Sequence, residues 1–174
     1  MMEIHRIDES RKDDLRLRQE PFSTPGRLIP ALQDGRWSWR EELFQMPEEM
    51  CFPAETLELE QIDRDGAAFG AYLDGKCVGI AVYRKGFFAY LYLQSLRVLR
   101  GSRGQGVGKA LLEAGKRYAR DNGYRGIYLQ AQDNNLNACR FYLHCGFEIG
   151  GFDNRIYTGS KQEGKADILF YMDI

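Results

Sequence analysis

The sequence lacks the features that mark several large classes of protein. None of its apolar runs approaches the ~20 residues of a membrane-spanning helix, and the longest is Phe87 to Leu93. It carries 24 basic and 25 acidic residues, a formal net charge of −1, so the cationic surface of a nucleic-acid-binding protein is not expected. No apolar stretch follows Met1 as a secretory signal would. We therefore expect a cytoplasmic protein with neither a membrane nor a nucleic acid as partner.

Metal-ligating side chains are also scarce. The chain has four cysteines and two histidines, and no two cysteines form a Cys-x-x-Cys pair. These spacings provide no zinc site, and we expect no metal. The cysteines are interpreted as reduced thiols that serve as small core residues.

The remaining pattern predicts an α/β fold in a single domain, residues 1–174. Three prolines (Pro21, Pro25 and Pro30) are expected to break regular structure early in the chain. Asp74-Gly75 predicts a hairpin turn. The predicted later elements are strands over 89–98, 124–131, 147–150, 155–157 and 167–172, an amphipathic helix that begins near Val107 and ends before Gly123, and a helix over 136–144 capped by Asn134 or Asn135.

Residues 41–65 form an acidic segment with nine acidic residues and one arginine, a net charge of −8. Such local asymmetry suits a surface that attracts a cation. The alternative is a solvated helix and loop with no ligand.

A glycine-rich stretch, Arg103-Gly104-Gln105-Gly106-Val107-Gly108-Lys109, lies between a predicted strand and a predicted helix. Glycines let backbone N–H groups approach a ligand, and a helix N-terminus favours negative charge, so the stretch predicts a phosphate site. The nucleotide P-loop is excluded because Arg103 and Ala110 occupy its glycine and hydroxyl positions. The dinucleotide fingerprint fails at Lys109.

The spacing of Arg103, Gly106 and Gly108 instead resembles the phosphate-binding loop of the GNAT superfamily of N-acetyltransferases. A second stretch, from Asn135 through Ala138 to Tyr142, then Gly146-Phe147, resembles that family's following helix and strand. The resemblance implies the GNAT-like acyl-CoA N-acyltransferase fold, with a mixed central sheet flanked by helices. It also implies an enzyme that uses acetyl-coenzyme A (acetyl-CoA).

The resemblance further implies roles for individual residues. Backbone groups of Leu96 and Val98 would pair with the pantetheine arm, and Asn135 would hydrogen-bond the cofactor. Tyr142 would contact the cofactor near its sulfur and protonate the departing thiolate, a role that a phenol can perform. The pyrophosphate would be cradled by Arg103, Gly104, Gln105, Gly106, Val107, Gly108 and Lys109.

A narrower resemblance links most of the chain to the streptothricin acetyltransferases. It rests on Glu20-Pro21-Phe22, on Gln132 to Asn135, and on Cys145-Gly146-Phe147, among others. Such enzymes acetylate an amine of a cationic antibiotic and confer resistance. The resemblance implies a primary amine of a cationic small molecule as substrate, streptothricin among the candidates, and a monomer or homodimer.

The chain departs from that subfamily at Gln94-Ser95, where Glu-Asp is expected, and the glutamate would be the general base. Gln94 does not titrate, although it can hydrogen-bond an amine or a water. Three explanations remain open. Another carboxylate (Glu55, Glu58 or Glu60) serves as base, water takes the proton, or the substrate differs. The departure favours one alternative function, a catalytically weak acyl-CoA-binding module. The acidic segment would suit a basic peptide equally well, which leaves a second alternative, an acetyltransferase of protein lysines or N-termini.

Overall fold

A computed structural model describes all residues, 1–174. The chain divides into two compact units. The first contains residues 1–20, 52–127 and 173–174, and the second contains residues 21–51 and 128–172. The expected single domain stays a prediction.

The chain contains both helices and strands, as expected for an α/β protein. In chain order they are β1 (Met2–Arg6), a 3₁₀ helix (Glu9–Arg16), β2 (Phe22–Gln33), β3 (Arg36–Met50), α1 (Leu59–Asp63), β4 (Gly66–Leu73), β5 (Lys76–Lys85), β6 (Tyr90–Val98), a short 3₁₀ helix (Arg100–Ser102), α2 (Val107–Asp121), β7 (Gly126–Gln132), α3 (Leu136–His144), β8 (Glu148–Asp153) and β9 (Asp167–Asp173). No helix is both long and apolar enough to cross a membrane.

The first unit is built on four antiparallel strands in the order β1-β4-β5-β6. The predicted hairpin turn is confirmed, since Asp74 and Gly75 both have positive φ, at 49° and 75°. One face of this sheet supports a buried cluster of Ile7, Leu15, Ile62, Ala68, Ile80 and Val82. Alternate residues face α2, where the Tyr83 hydroxyl donates to the Leu111 carbonyl at 3.0 Å. The predicted C-terminal cap of α2 also forms, because Gly123 has φ +73°.

The second unit corrects two expectations about its first segment. Pro25 and Pro30 lie inside β2, which pairs with β3 from Phe22↔Met50 to Gln33↔Arg36. A ribbon of only two strands leaves each strand one edge without a partner strand, and the ladder breaks register at Pro25, so neither proline needs to donate to a partner strand. The first part of the acidic segment is likewise strand rather than helix and loop, because it continues β3.

The rest of the second unit contains α3 and strands in the order β7-β9-β8. Helix α3 has the predicted bounds, and β8 pairs antiparallel with β9. The strand predicted over 155–157 is wrong. Those residues form turns, where the Asp153 carboxylate accepts from the backbone N–H groups of Arg155 and Ile156 at 2.9 and 3.0 Å.

Candidate active site

The glycine-rich stretch forms an open turn into α2. Gly104 and Gly106 have φ of +74° and +80°, a region that side-chain-bearing residues rarely adopt. Gly106 is the N-cap of α2, and no side chain bonds to the first turn of the helix. The first backbone hydrogen bond of the helix runs from Ala110 N–H to the Gly106 carbonyl at 2.9 Å. The earlier N–H groups therefore face outward at the positive end of the helix dipole, which suits an anion.

Polar side chains fix this turn against the end of β6. The Arg103 Nε donates to the Val98 carbonyl at 3.0 Å, and the Gln105 Nε2 donates to the Gly101 carbonyl at 3.0 Å. Both residues and Lys109 are exposed, so their charge and amide groups border the open helix end. The arrangement can hold a phosphate or pyrophosphate through backbone N–H groups and two cations.

Strand β6 carries an irregularity at Gln94. Val82 of β5 pairs with Ser95, but the next residue, Tyr83, pairs with Leu93, so Gln94 is an extra residue in β6. Such a bulge redirects side chains and is common beside active sites. Ser95 and Arg97 are opposite Val82 and Ile80, so they share the face of the buried cluster. The Gln94 side chain reaches that face as well, because it shares the Glu55 carboxylate with Arg97.

A glutamate of the acidic segment meets Gln94 and Arg97 there. The Gln94 Nε2 donates to Glu55 Oε1 at 2.7 Å, and the Arg97 Nη2 donates to Glu55 Oε2 at 2.7 Å. The Arg97 side chain is only 7% exposed and also donates to the Leu17 carbonyl and the Ser95 hydroxyl. Sequence reasoning named Glu55 as one of three carboxylates but did not predict the contact. A charged residue at an inward position of β6 was the available signal, because a buried arginine requires a partner.

A cavity of about 390 Å³ opens beside this network. Its lining includes Arg16, Arg18, Glu55, Glu58 and Arg97. The volume lies within the range of small-molecule sites. Glu60, the third candidate carboxylate, lies away from the cavity and bonds to Arg64 at 2.8 Å on the surface of α1.

The remaining predicted residues lie in the second unit on and before α3. Asn135 caps the helix, because its Oδ1 accepts from the Ala138 N–H at 3.3 Å. That bond occupies the side-chain oxygen and leaves the amide nitrogen as the group that would bond to a ligand. Tyr142 is half-buried, and its ring packs edge-on against Phe147, with centroids 5.6 Å apart, and tilted against Phe170 at 5.9 Å.

Residues 30–147 match the Acetyltransferase (GNAT) family. The chain belongs to the GNAT family of acetyltransferases. It is therefore an acetyltransferase that depends on acetyl-CoA, and its fold is the α/β fold of that family.

Three relatives extend the comparison over nearly the whole chain. Streptothricin acetyltransferase A of Bacillus subtilis (strain 168) is 33% identical over 153 residues, which cover 87% of this chain and 88% of that protein. A crystal structure of a candidate streptothricin acetyltransferase from Bacillus anthracis str. Ames, in complex with acetyl coenzyme A, has a TM-score of 0.90 at 28% identity and covers 100% of this chain and 99% of that one. The crystal structure of nourseothricin acetyltransferase has a TM-score of 0.82 at 23% identity, with 99% and 98% covered, and shows the same fold.

The run Gln132 to Asn135, which carries the narrower resemblance, has a structural role in this GNAT chain. The Asp133 carbonyl accepts from the Leu28 N–H at 2.9 Å, and its carboxylate accepts from the Ala166 N–H at 3.0 Å. The Asn134 carbonyl accepts from the Thr24 hydroxyl at 2.8 Å. These bonds fix β2 and the start of α3 within the second unit.

Ion pairs with arginines offset much of the negative charge of the acidic segment. Six of its nine acidic residues form ion pairs with arginines: Glu41, Glu42, Glu55, Glu60, Asp63 and Asp65. The structure also divides the segment, with residues 41–51 in the second unit and 52–65 in the first.

Proposed function

We propose that this chain transfers the acetyl group of acetyl-CoA to a primary amine of a cationic small molecule, with streptothricin as the leading candidate. The observation that supports the acceptor is the 33% identity, over 87% of the chain, to a protein named streptothricin acetyltransferase A. Fold and family alone do not determine a substrate, so the acceptor is the part of this proposal that most needs a direct test.

The cofactor is proposed to bind along β6 and the turn that follows it. Backbone groups of Leu96 and Val98 would pair with the pantetheine arm, and the stretch from Arg103 to Lys109 would hold the pyrophosphate. The open first turn of α2 supports this assignment, because no side chain caps the helix there. On α3, the Asn135 amide nitrogen would donate to the cofactor.

The chemistry is proposed to be direct attack of the amine on the thioester, without a covalent enzyme intermediate. Backbone N–H dipoles of β6 would polarise the thioester carbonyl, and Tyr142 would donate a proton to the departing thiolate. An acyl-cysteine route is disfavoured by the environment of Cys139. Burial raises the pKa of its thiol to about 12, and only a thiolate is an effective nucleophile.

Release of free thiol from acetyl-CoA tests this function, with a panel of streptothricin, simple diamines, and peptides with lysine side chains or free N-termini. We expect rapid release with streptothricin and slower release with the diamines. Release with peptides alone would establish a protein acetyltransferase instead. Binding of acetyl-CoA without thiol release from any amine would establish the weak binding module. The cytoplasmic location and the monomeric or homodimeric state stay predictions.

A further inference from the structure

We propose that Glu55, held in place by Gln94 and Arg97, is the general base of the acetyl transfer and accepts the proton that the acceptor nitrogen loses. This inference rests on the proposed function and identifies the group that replaces the glutamate missing at position 94. It also selects one of the three carboxylates that the sequence leaves open.

The geometry of the contact supports this assignment. Glu55 Oε1 lies 2.7 Å from Gln94 Nε2, so its carboxylate lies within one hydrogen bond of the bulged residue of β6. Gln94, the extra residue of the β6 bulge, and Arg97 both bond to the Glu55 carboxylate, so their side chains lie on the same face of β6. The loop that precedes α1 thus supplies a carboxylate at the bulge.

Arg97 fixes the orientation of this carboxylate. Its Nη2 donates to Glu55 Oε2 at 2.7 Å, its Nη1 donates to the Leu17 carbonyl, and its Nε donates to the Ser95 hydroxyl. A buried guanidinium requires a partner of opposite charge, and Glu55 is that partner. Glu55 keeps 31% of its side chain exposed, so it can receive a proton from a ligand and return it to water.

The adjacent cavity lies beside this carboxylate. Its lining includes Arg16, Arg18, Arg97, Glu55 and Glu58. Arg97 pairs with Glu55 and Arg18 pairs with Glu20, so the lining carries little net charge. An amine in this cavity would therefore have Glu55 as a nearby acceptor for the proton that it loses.

The proton and electron transfers balance. The lone pair of the neutral amine forms a C–N bond to the thioester carbon, and the electrons of the C–S bond leave with sulfur. The positively charged nitrogen gives one proton to Glu55, and Tyr142 gives one to sulfur. Glu55 returns its proton to solvent and Tyr142 recovers one from it, so the net products are an amide and free coenzyme A.

The test compares Glu55→Gln with a swapped variant, Glu55→Gln with Gln94→Glu, which moves the carboxylate to position 94. Glu60→Gln is the matched control, because it removes the same charge from the same segment at a side chain that is 85% exposed. Thermal melts establish the folded fraction, and kcat/KM is measured from pH 6 to 9 at saturating acetyl-CoA.

We expect Glu55→Gln to lower kcat/KM by roughly 10²- to 10³-fold at pH 7, the range of general-base catalysis. Its pH dependence should become steeper above pH 8, because hydroxide replaces the lost base. The swapped variant should have a kcat/KM at least tenfold above that of Glu55→Gln. Glu60→Gln should have the kcat/KM of the wild type.

Three results would overturn the proposal. A folded Glu55→Gln within threefold of wild-type activity would show that Glu55 takes no proton. Activity that falls only with the folded fraction, at an unchanged pH dependence and without rescue by the swap, would show a structural role alone. A wild-type chain that acetylates none of the amines would overturn both this inference and the proposed function, whereas the first two results leave the function intact.

Discussion

Glu41 on β3 and Arg140 on α3 form a two-bond ion pair. The Arg140 Nη2 and Nε donate to the two oxygens of the Glu41 carboxylate at 2.6 and 2.8 Å. The pair joins the β2–β3 ribbon to the helix that carries Tyr142, two residues after Arg140. The ribbon is therefore attached to α3 by a contact between residues far apart in the chain.

The ion pair predicts a pH dependence of stability. Hydrogen bonding to Arg140 holds the pKa of Glu41 below its ordinary value of 4.5. A carboxyl with a lowered folded-state pKa stabilises the fold above that ordinary value, and the contribution is lost as pH falls through the lowered pKa. The Tm difference between the wild type and Glu41→Gln should therefore be present at pH 7 and shrink below pH 4.5. Thermal melts from pH 3 to 7 measure it, and a constant difference would contradict it.

Gly106 is predicted to strengthen cofactor binding through its backbone conformation. Its φ is +80°, and a Cβ built there meets nothing within 4 Å, so the cost of Gly106→Ala is conformational rather than steric. That cost is about 1–2 kcal/mol. If the loop relaxes to avoid it, the N–H groups turn away from the phosphate, and we expect acetyl-CoA affinity to fall about tenfold or more.

Gly75→Ala is the matched control for that substitution. Gly75 has φ +75° and equally open space, but it lies in the β4–β5 turn. Both variants should lose similar stability in thermal melts, and only Gly106→Ala should weaken acetyl-CoA binding in titration calorimetry. Equal affinities in the two variants would refute the assignment of the loop.

Much of the fold was predictable because its signals are local. The Asp74-Gly75 turn, the α3 bounds and the Gly123 cap each follow from neighbouring residues. The β2–β3 ribbon was not predicted, because prolines in a sequence argue against a strand. They are tolerated here because β2 has only one partner strand, and the number of partner strands is set by the tertiary structure. Glu55 could be named only as one of three carboxylates, because its contacts with Gln94 and Arg97 span 39 and 42 residues. Local patterns do not contain such a pairing.

Gln94→Glu alone is predicted to destabilise the chain at neutral pH rather than to activate it. The new carboxylate would lie within hydrogen-bond distance of Glu55, and two adjacent carboxylates raise the pKa of one of them. A raised folded-state pKa favours folding at low pH and opposes it once pH rises through that value. We expect the Tm to lie a few degrees below wild type at pH 8 and to approach it at pH 5. A sharp gain in activity with an unchanged Tm would instead mean that the missing base limits the natural enzyme.

Cys139 is predicted to be inert to alkylation while the chain is folded. Its side chain is fully buried, and burial raises the pKa of its thiol to about 12. At pH 8 about one thiol in 10⁴ would be ionised. Iodoacetamide should label the exposed Cys51 and leave Cys139 unmodified, as read by peptide mass spectrometry, with acetyl transfer retained. Labelling of Cys139 in the folded enzyme, or recovery of an acetylated Cys139, would contradict direct transfer.

Tyr142→Phe is predicted to separate chemistry from binding. The substitution keeps the ring that packs against Phe147 and Phe170 and removes only the hydroxyl. If that hydroxyl protonates the thiolate, kcat should fall by roughly 10²-fold or more, while acetyl-CoA affinity changes less than threefold. Tyr90→Phe is the control, because its hydroxyl donates to Asp173 at 2.5 Å at the exposed start of β6 and has no proposed role in transfer. A better leaving group needs less protonation, so an acetyl thioester of a more acidic thiol should recover activity in Tyr142→Phe. Equal losses with both thioesters would assign Tyr142 to packing rather than to proton donation.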